Sequence, residues 1–274
     1  MEFYVPFFKY PVIKEFDDVQ SWRVIDPDEC IRTGDVLLFS NSSFMSSTIK
    51  FVTRSRWNHI GMACWCEILH RDGRVTVDIF SFELGSQPYT DLMSGALADK
   101  EVRLVRLADI SGMYDMIAVR KLNSFRKTAE EKISWCERFM AFMWKWKKTP
   151  FYDATILLKV HFISAGAPEN QTTCSTITAR MFDHMDHFKL NFDPSQLSPD
   201  DYAGHSKAFP DTIFQGPEKI VYKDDRWVNA RIVFICVVLI LVIMLIVVLV
   251  RQVMKNRLKK SALKNALAPQ AINQ

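Results

Sequence analysis

The chain has 274 residues, enough for one sizeable domain or two small ones, and 49% of them are hydrophobic, ample for a core. Its formal charge of +4 is misleading, because Arg251, Lys255, Arg257, Lys259, Lys260 and Lys264 all follow Val250 in a stretch without acids. Subtracting those six from the 35 basic residues leaves 29 against 31 acids, and a near-neutral body with a basic tail argues against nucleic acid as the main partner and suits a membrane surface.

Six scattered cysteines, Cys30, Cys64, Cys66, Cys136, Cys174 and Cys236, form no dense framework, which favours a reducing compartment. The start, Met1 to Lys9, has neither the basic region nor the apolar run of a signal peptide.

Residues 1–30, with Pro6, Pro11 and Pro27, are expected to form an arm. Ile31 to Ser40 is a turn entering a buried strand, and Ser47 to Arg54 a short helix. Three further strands are expected at His59 to Leu69, Val75 to Phe82 and Val102 to Leu107, the first two joined by an Asp72-Gly73 hairpin turn. Within the first, Cys64 and Cys66 are expected on opposite faces as core residues rather than a metal site. From Thr128 the period becomes helical: Thr128-Ala129-Glu130-Glu131 matches a capping box, and Ile133, Cys136, Phe139, Met140 and Met143 form the expected buried stripe. Tyr152 to Ile163 reads as another helix, broken by Gly166 and Pro168. Residues 206–230 read as a linker.

Ile232 to Val250 is 19 consecutive uncharged residues bracketed by Arg231 and Arg251. At helical rise it covers roughly 28 Å, the thickness of a hydrocarbon core. A single transmembrane helix over 231–251 with a basic tail over 252–274 is therefore expected. A tail anchor would leave the preceding domain cytosolic, which the absent signal peptide and scattered thiols favour; the opposite orientation stays open.

The chemistry centres on Thr172-Thr173-Cys174-Ser175-Thr176. The threonines are N-cap types, and Ile177, Met181, Met185 and Phe188 recur at helical spacing, so Cys174 stands in the first turn of an amphipathic helix. Unpaired N–H groups and the helix dipole there favour a thiolate. Upstream, Trp57-Asn58-His59-Ile60-Gly61-Met62 puts a histidine at the start of a strand. A helix-start cysteine and a strand histidine are the minimal pair for thiol catalysis, although each alone is also an ordinary core residue. Val75, Val77, Ile79, Ser81 and Glu83 share one strand parity and Asp78 has the other. His184-Met185-Asp186-His187 offers a histidine pair without further ligands and reads as a polar helix end. No metal or cofactor is expected.

Gly34 to Phe39, Trp57 to Met62, Glu83, Tyr152-Asp153, Cys174-Ser175 and Ser198 to Tyr202, in that order, resemble the permuted papain-like branch of the NlpC/P60 superfamily. The likeness is to YaeF/YiiX-type amidases and, more distantly, to lecithin–retinol acyltransferase. It implies an α+β, circularly permuted domain over 31–205, with an antiparallel sheet and a Cys-bearing helix. It also implies Cys174 as nucleophile, His59 as base, Glu83 as orienter of His59 (Asp78 being the alternative), and Tyr152 and Trp57 at the substrate-binding site. Thr176 stands where the family often has an acid. The expected activity is a membrane-anchored cysteine hydrolase or acyltransferase that cleaves a lipid or peptide amide or ester through a Cys174 acyl-thioester. The alternatives are an inactive binding or assembly module keeping the fold, and a membrane-remodelling protein in which span and tail do the work.

Overall fold

A computed structural model describes residues 18–43, 46–47, 50, 55–85, 87–123, 128–150, 172–185, 193–204, 206, 208–210 and 212–223. The chain divides into two compact units, Met1–Lys223 and Asp224–Gln274, and every described residue belongs to the first. The expected span Ile232 to Val250 lies outside the described residues, among which no helix is long and apolar enough to cross a membrane.

The first unit is α+β. Its antiparallel sheet contains, among the described residues, seven strands: β1 (Val19–Ile25), β2 (Val36–Ser40), β3 (His59–His70), β4 (Val75–Leu84), β7 (Val102–Arg106), β8 (Met116–Arg120) and β9 (Lys219–Lys223). A small ladder pairs β5 (Tyr89–Thr90) with β6 (Leu97–Ala98). Three helices complete the labelled elements, α1 (Leu107–Ser111), α2 (Ala129–Trp146) and α3 (Cys174–His184). The spatial order is β7-β4-β3-β2-β8-β9. The long strand β3 carries two neighbours on one side, β2 along His59–Met62 and β1 along Trp65–His70. The β3–β4 hairpin turns as expected, with Gly73 at φ +81° and the His70 N–H donating to the Arg74 carbonyl at 2.9 Å.

Strand periodicity sorts side chains onto two cores. Ile60, Met62, Cys64, Cys66 and Ile68 of β3 join Phe80 and Phe82 of β4 in the larger cluster, against Trp135, Phe139 and Phe142 of α2 and Ile177, Met181 and Phe182 of α3. Ala63 and Trp65 face the smaller cluster with Phe39, Val105 and Tyr114. Each fully buried aromatic or aliphatic side chain stabilises this packing by about 1.5–3 kcal/mol.

Several expectations change. Val19–Ile25 is no arm but a strand paired to β3, and Lys219–Lys223, within the expected linker, pairs with β8. Both follow a neighbour's backbone groups, which composition does not reveal. Cys64 and Cys66 share a face, because residues two apart in a strand point the same way; their sulfurs are 3.7 Å apart in the larger core. Burial, and then the Cys66 thiol beside it, push the Cys64 thiol well up, so it stays protonated. Thr128 and Glu131 form the expected capping box on α2, but Ile133 is 60% exposed and Trp135 occupies the buried face instead. The expected helices at 47–54 and 152–163 lie largely or wholly outside the described residues.

The Gly34-Asp35 pair anchors β2. The buried Asp35 carboxylate accepts the Leu122 N–H at 2.8 Å and the Arg32 N–H at 2.9 Å. Gly34 has φ +96°, and a Cβ there would press into the Trp135 indole, 2.7 Å from Cζ2. Gly34→Ala therefore combines backbone strain with overpacking and is expected to cost about 2–4 kcal/mol, read from the midpoint of urea unfolding.

Candidate active site

The Cys174 helix begins as its threonines dictate. Thr173 is the N-cap, with extended backbone, and its hydroxyl oxygen accepts the Thr176 N–H at 3.1 Å. Cys174 is the first helical residue and stays partly exposed while Ser175 to Ala179 are buried. The following turn is fastened to residues 194–202. Ser175 Oγ donates to the Leu197 carbonyl at 2.6 Å, Thr176 Oγ1 to the Pro194 carbonyl at 3.3 Å, and the Tyr202 hydroxyl to the Ser175 carbonyl at 2.5 Å. Thr176 is fully buried and works as a backbone tie. Burial, then the negative charges of Cys174 and Asp201, push the Tyr202 phenol well up, so it remains a donor.

His59 opens β3 as Cys174 opens α3, and Cys174 is among the groups whose interaction raises the His59 pKa. The hydrogen bond of His59 runs from Nε2 to Glu83 Oε2 at 3.0 Å. Its ring packs near-parallel to Tyr114 at 6.0 Å and against Phe39 at 5.3 Å. Burial opposes charge on the imidazole, but the Glu83 carboxylate, the interaction with Cys174 and the hydrogen bond to Glu83 outweigh it and push its pKa up to about 10. His59 is thus an imidazolium at neutral pH, lying between a carboxylate and a sulfur.

Glu83 is fully buried. Its Oε1 accepts Arg103 Nη2 at 3.0 Å, and Ser81 Oγ donates to Oε2 at 3.4 Å. Burial raises its pKa, but the charge and hydrogen bond of His59, followed by those of Arg103, hold it below the ordinary value. Gly61 pairs with Glu83 across β3–β4, and a Cβ there would strike Ser81 Oγ and sit 3.3 Å from Glu83 Cβ. Only glycine leaves room for the carboxylate and its donors.

The structure thus brings Cys174, His59 and Glu83 into one row, His59 hydrogen-bonded to Glu83 and interacting electrostatically with Cys174. Asp78, on the opposite strand parity, lies across from Cys66 and accepts the Ile79 N–H at 2.8 Å, away from His59. Trp57, expected at the substrate site, is fully buried in the larger core, with Arg56 stacked 4.9 Å from its ring. Tyr152, Asp153, Asp186 and His187 lie outside the described residues, and His184 contacts the Phe142 ring at 5.3 Å. Among the described residues, no group of three or more His, Cys, Asp or Glu side chains could hold a metal ion. Three neighbours were given no role at the sequence level: Arg103, Tyr114 and Tyr202. A charge inside the apolar run Val102-Arg103-Leu104-Val105 was the available signal for the first.

No family model matches the chain, and no curated protein matches it. Among solved structures, the crystal structure of metalloprotein YiiX from Escherichia coli O157:H7 is similar at a TM-score of 0.39 and 13% identity, covering 71% of this chain and 98% of YiiX. A likeness that loose assigns no residue a role.

Proposed function

We propose that this chain is a thiol hydrolase or acyltransferase of permuted papain type, with Cys174 as nucleophile. The observation that carries the reading is the row itself: a helix-start thiol that interacts with an imidazolium whose Nε2 is held 3.0 Å from a buried carboxylate. The order of the parts, histidine strand before cysteine helix, supports the permuted form.

In the proposed cycle the Cys174 thiolate attacks the carbonyl carbon of an ester or amide. The N-terminal N–H groups of α3 favour the oxyanion that forms. As the tetrahedral species collapses, the C–O or C–N bond breaks, His59 gives its proton to the departing oxygen or nitrogen, and an acyl-thioester remains on Cys174. Neutral His59 then takes a proton from water or an acceptor hydroxyl, which attacks the thioester carbonyl and returns the thiolate. Glu83 holds the imidazole orientation through both halves. Tethering by Ile232 to Val250, with the domain on the cytosolic side, makes a lipid ester or amide the preferred substrate class, ahead of a peptide.

The test is to trap the intermediate. Full-length protein in mild detergent would be mixed with p-nitrophenyl butyrate or with phosphatidylcholine vesicles, quenched in acid and weighed intact. One acyl group on Cys174, released by hydroxylamine and absent from Cys174→Ala, is the expected result. An intact thiol without adduct, with ester cleavage no faster than in Cys174→Ala, would overturn the reading and leave a binding or assembly module.

A further inference from the structure

We infer that Arg103 is a positioning residue for this site: one planar guanidinium aims the Glu83 carboxylate at His59 and ties it to the segment around β5 and β6 that carries Gln87 and Ala98. The inference rests on the proposed function and extends it by a fourth member of the row.

Arg103 stands directly opposite Glu83 in the β4–β7 register, and neither side chain has any exposed surface. A buried arginine in the middle of a sheet is costly unless its charge and its donors are met. Here the charge and the Nη donors are divided between two tasks, while Nε–H has no hydrogen-bond partner among the described residues. Nη2 donates to Glu83 Oε1 at 3.0 Å, while Nη1 donates to the Ala98 carbonyl at 2.9 Å and to the Gln87 carbonyl. The Tyr89 ring packs 5.4 Å from the guanidinium carbon. Gly85 supplies the remaining space, since a Cβ there would overlap the guanidinium. The neighbours thus fit a fork of fixed shape.

The charges make the same point. A thiolate, an imidazolium and a carboxylate in a row carry one excess negative charge, and Arg103 cancels it. The groups that face Glu83 are His59 on β3, Ser81 on β4, Arg103 on β7 and, through the field, the phenols Tyr89 and Tyr114. Among the described residues, His59 and Arg103 are the cations within ion-pair distance of that carboxylate. Because Oε1 is engaged by Arg103, Oε2 is the oxygen presented to His59, and the carboxylate plane is fixed by two partners on opposite sides.

A purely architectural arginine would hold that segment and leave the titration of Glu83 alone. The test therefore follows the Glu83 carboxyl carbon by 13C NMR against pH in full-length protein, with Glu83→Gln to assign the signal. The same samples are scored for Cys174 alkylation by iodoacetamide across pH and for melting temperature. Arg103→Met is expected to raise the Glu83 midpoint by about one pH unit or more, and to carry the acid limb of the alkylation profile upward with it. Arg103→Lys keeps the charge without the fork, so its midpoint should move less. Gly85→Ala keeps the arginine but displaces it, and should move the midpoint in the direction of Arg103→Met; with Arg103→Lys it decides the matter if Arg103→Met fails to fold. A wild-type midpoint in every folded variant, with only the melting temperature lowered, would overturn the inference. Alkylation of the wild type that is indifferent to His59 would overturn the thiol-enzyme reading instead, and the carboxyl midpoint would still decide whether Arg103 governs Glu83.

Discussion

His59→Ala is expected to slow alkylation of Cys174 about a hundredfold at pH 6, and only severalfold at pH 9. The thiolate is the reacting species, and an ordinary thiol of pKa about 8.5 is ionised to only roughly 0.3% at pH 6. In this chain the sulfur interacts with an imidazole that stays protonated to about pH 10. That positive charge is the partner the proposed thiolate needs, and the alkylation rate reads whether the ring supplies it. Removing the ring removes the charge and leaves the helix N-terminus as the remaining stabiliser, worth about 0.3–1 kcal/mol. At pH 9 an unassisted thiol is mostly ionised, so the two proteins converge. Cys30 is free and exposed and will also label, so the rate must be read on the Cys174 peptide by mass spectrometry, with Cys174→Ala as the blank. Equal rates in wild type and His59→Ala at pH 6 would sink the catalytic pair.

Much of this geometry was legible because it depends on short-range chemistry. Thr173 has the hydroxyl that caps a helix, and the period of Ile177 and Met181 continues it, so the place of Cys174 followed from local rules. Glu83 was implied by the family resemblance, with Asp78 as the alternative, and strand parity told only that the two lie on opposite faces. The same rule, misapplied, put Cys64 and Cys66 on opposite faces. What stayed hidden depends on partners distant in sequence. Arg103 meets Glu83 because β4 and β7 pair in one register, and neither strand announces that register. Tyr202 meets Ser175 across 27 residues through one hydrogen bond that no sequence pattern shows. β1 and β9 carry mixed composition, with Arg23 and Lys219 at their surfaces, because both lie at sheet margins where one side faces water. Trp57 could be read as a pocket aromatic from its place beside His59, but burial is a property of everything that surrounds it.

Removing the carboxylate at the centre of the row should have the largest effect on stability. Glu83→Ala leaves Arg103 without its ion-pair partner in a site with no exposed surface, and leaves the His59 imidazolium uncompensated. Breaking a buried pair from one side costs about 3–5 kcal/mol, and that is the loss expected in urea unfolding near pH 5.5. Its pH dependence follows from the two shifts. Glu83 has its pKa lowered from 4.5 in the fold, so its contribution is complete above that value and is lost as the pH falls below it. His59 has its pKa raised from 6.5 to about 10, so its contribution is complete below 6.5 and is lost as the pH rises towards 10. The difference between wild type and Glu83→Ala should therefore be widest between about pH 4.5 and 6.5 and narrow on both sides. It should not vanish at high pH, because Arg103 stays charged after His59 has lost its proton. Glu83→Gln keeps an acceptor for Arg103 and should recover part of the loss without restoring the pH dependence. A difference that is flat from pH 4 to 10 would mean that Glu83 serves packing alone, and the row would then lack the electrostatic coupling on which a thiolate at Cys174 depends.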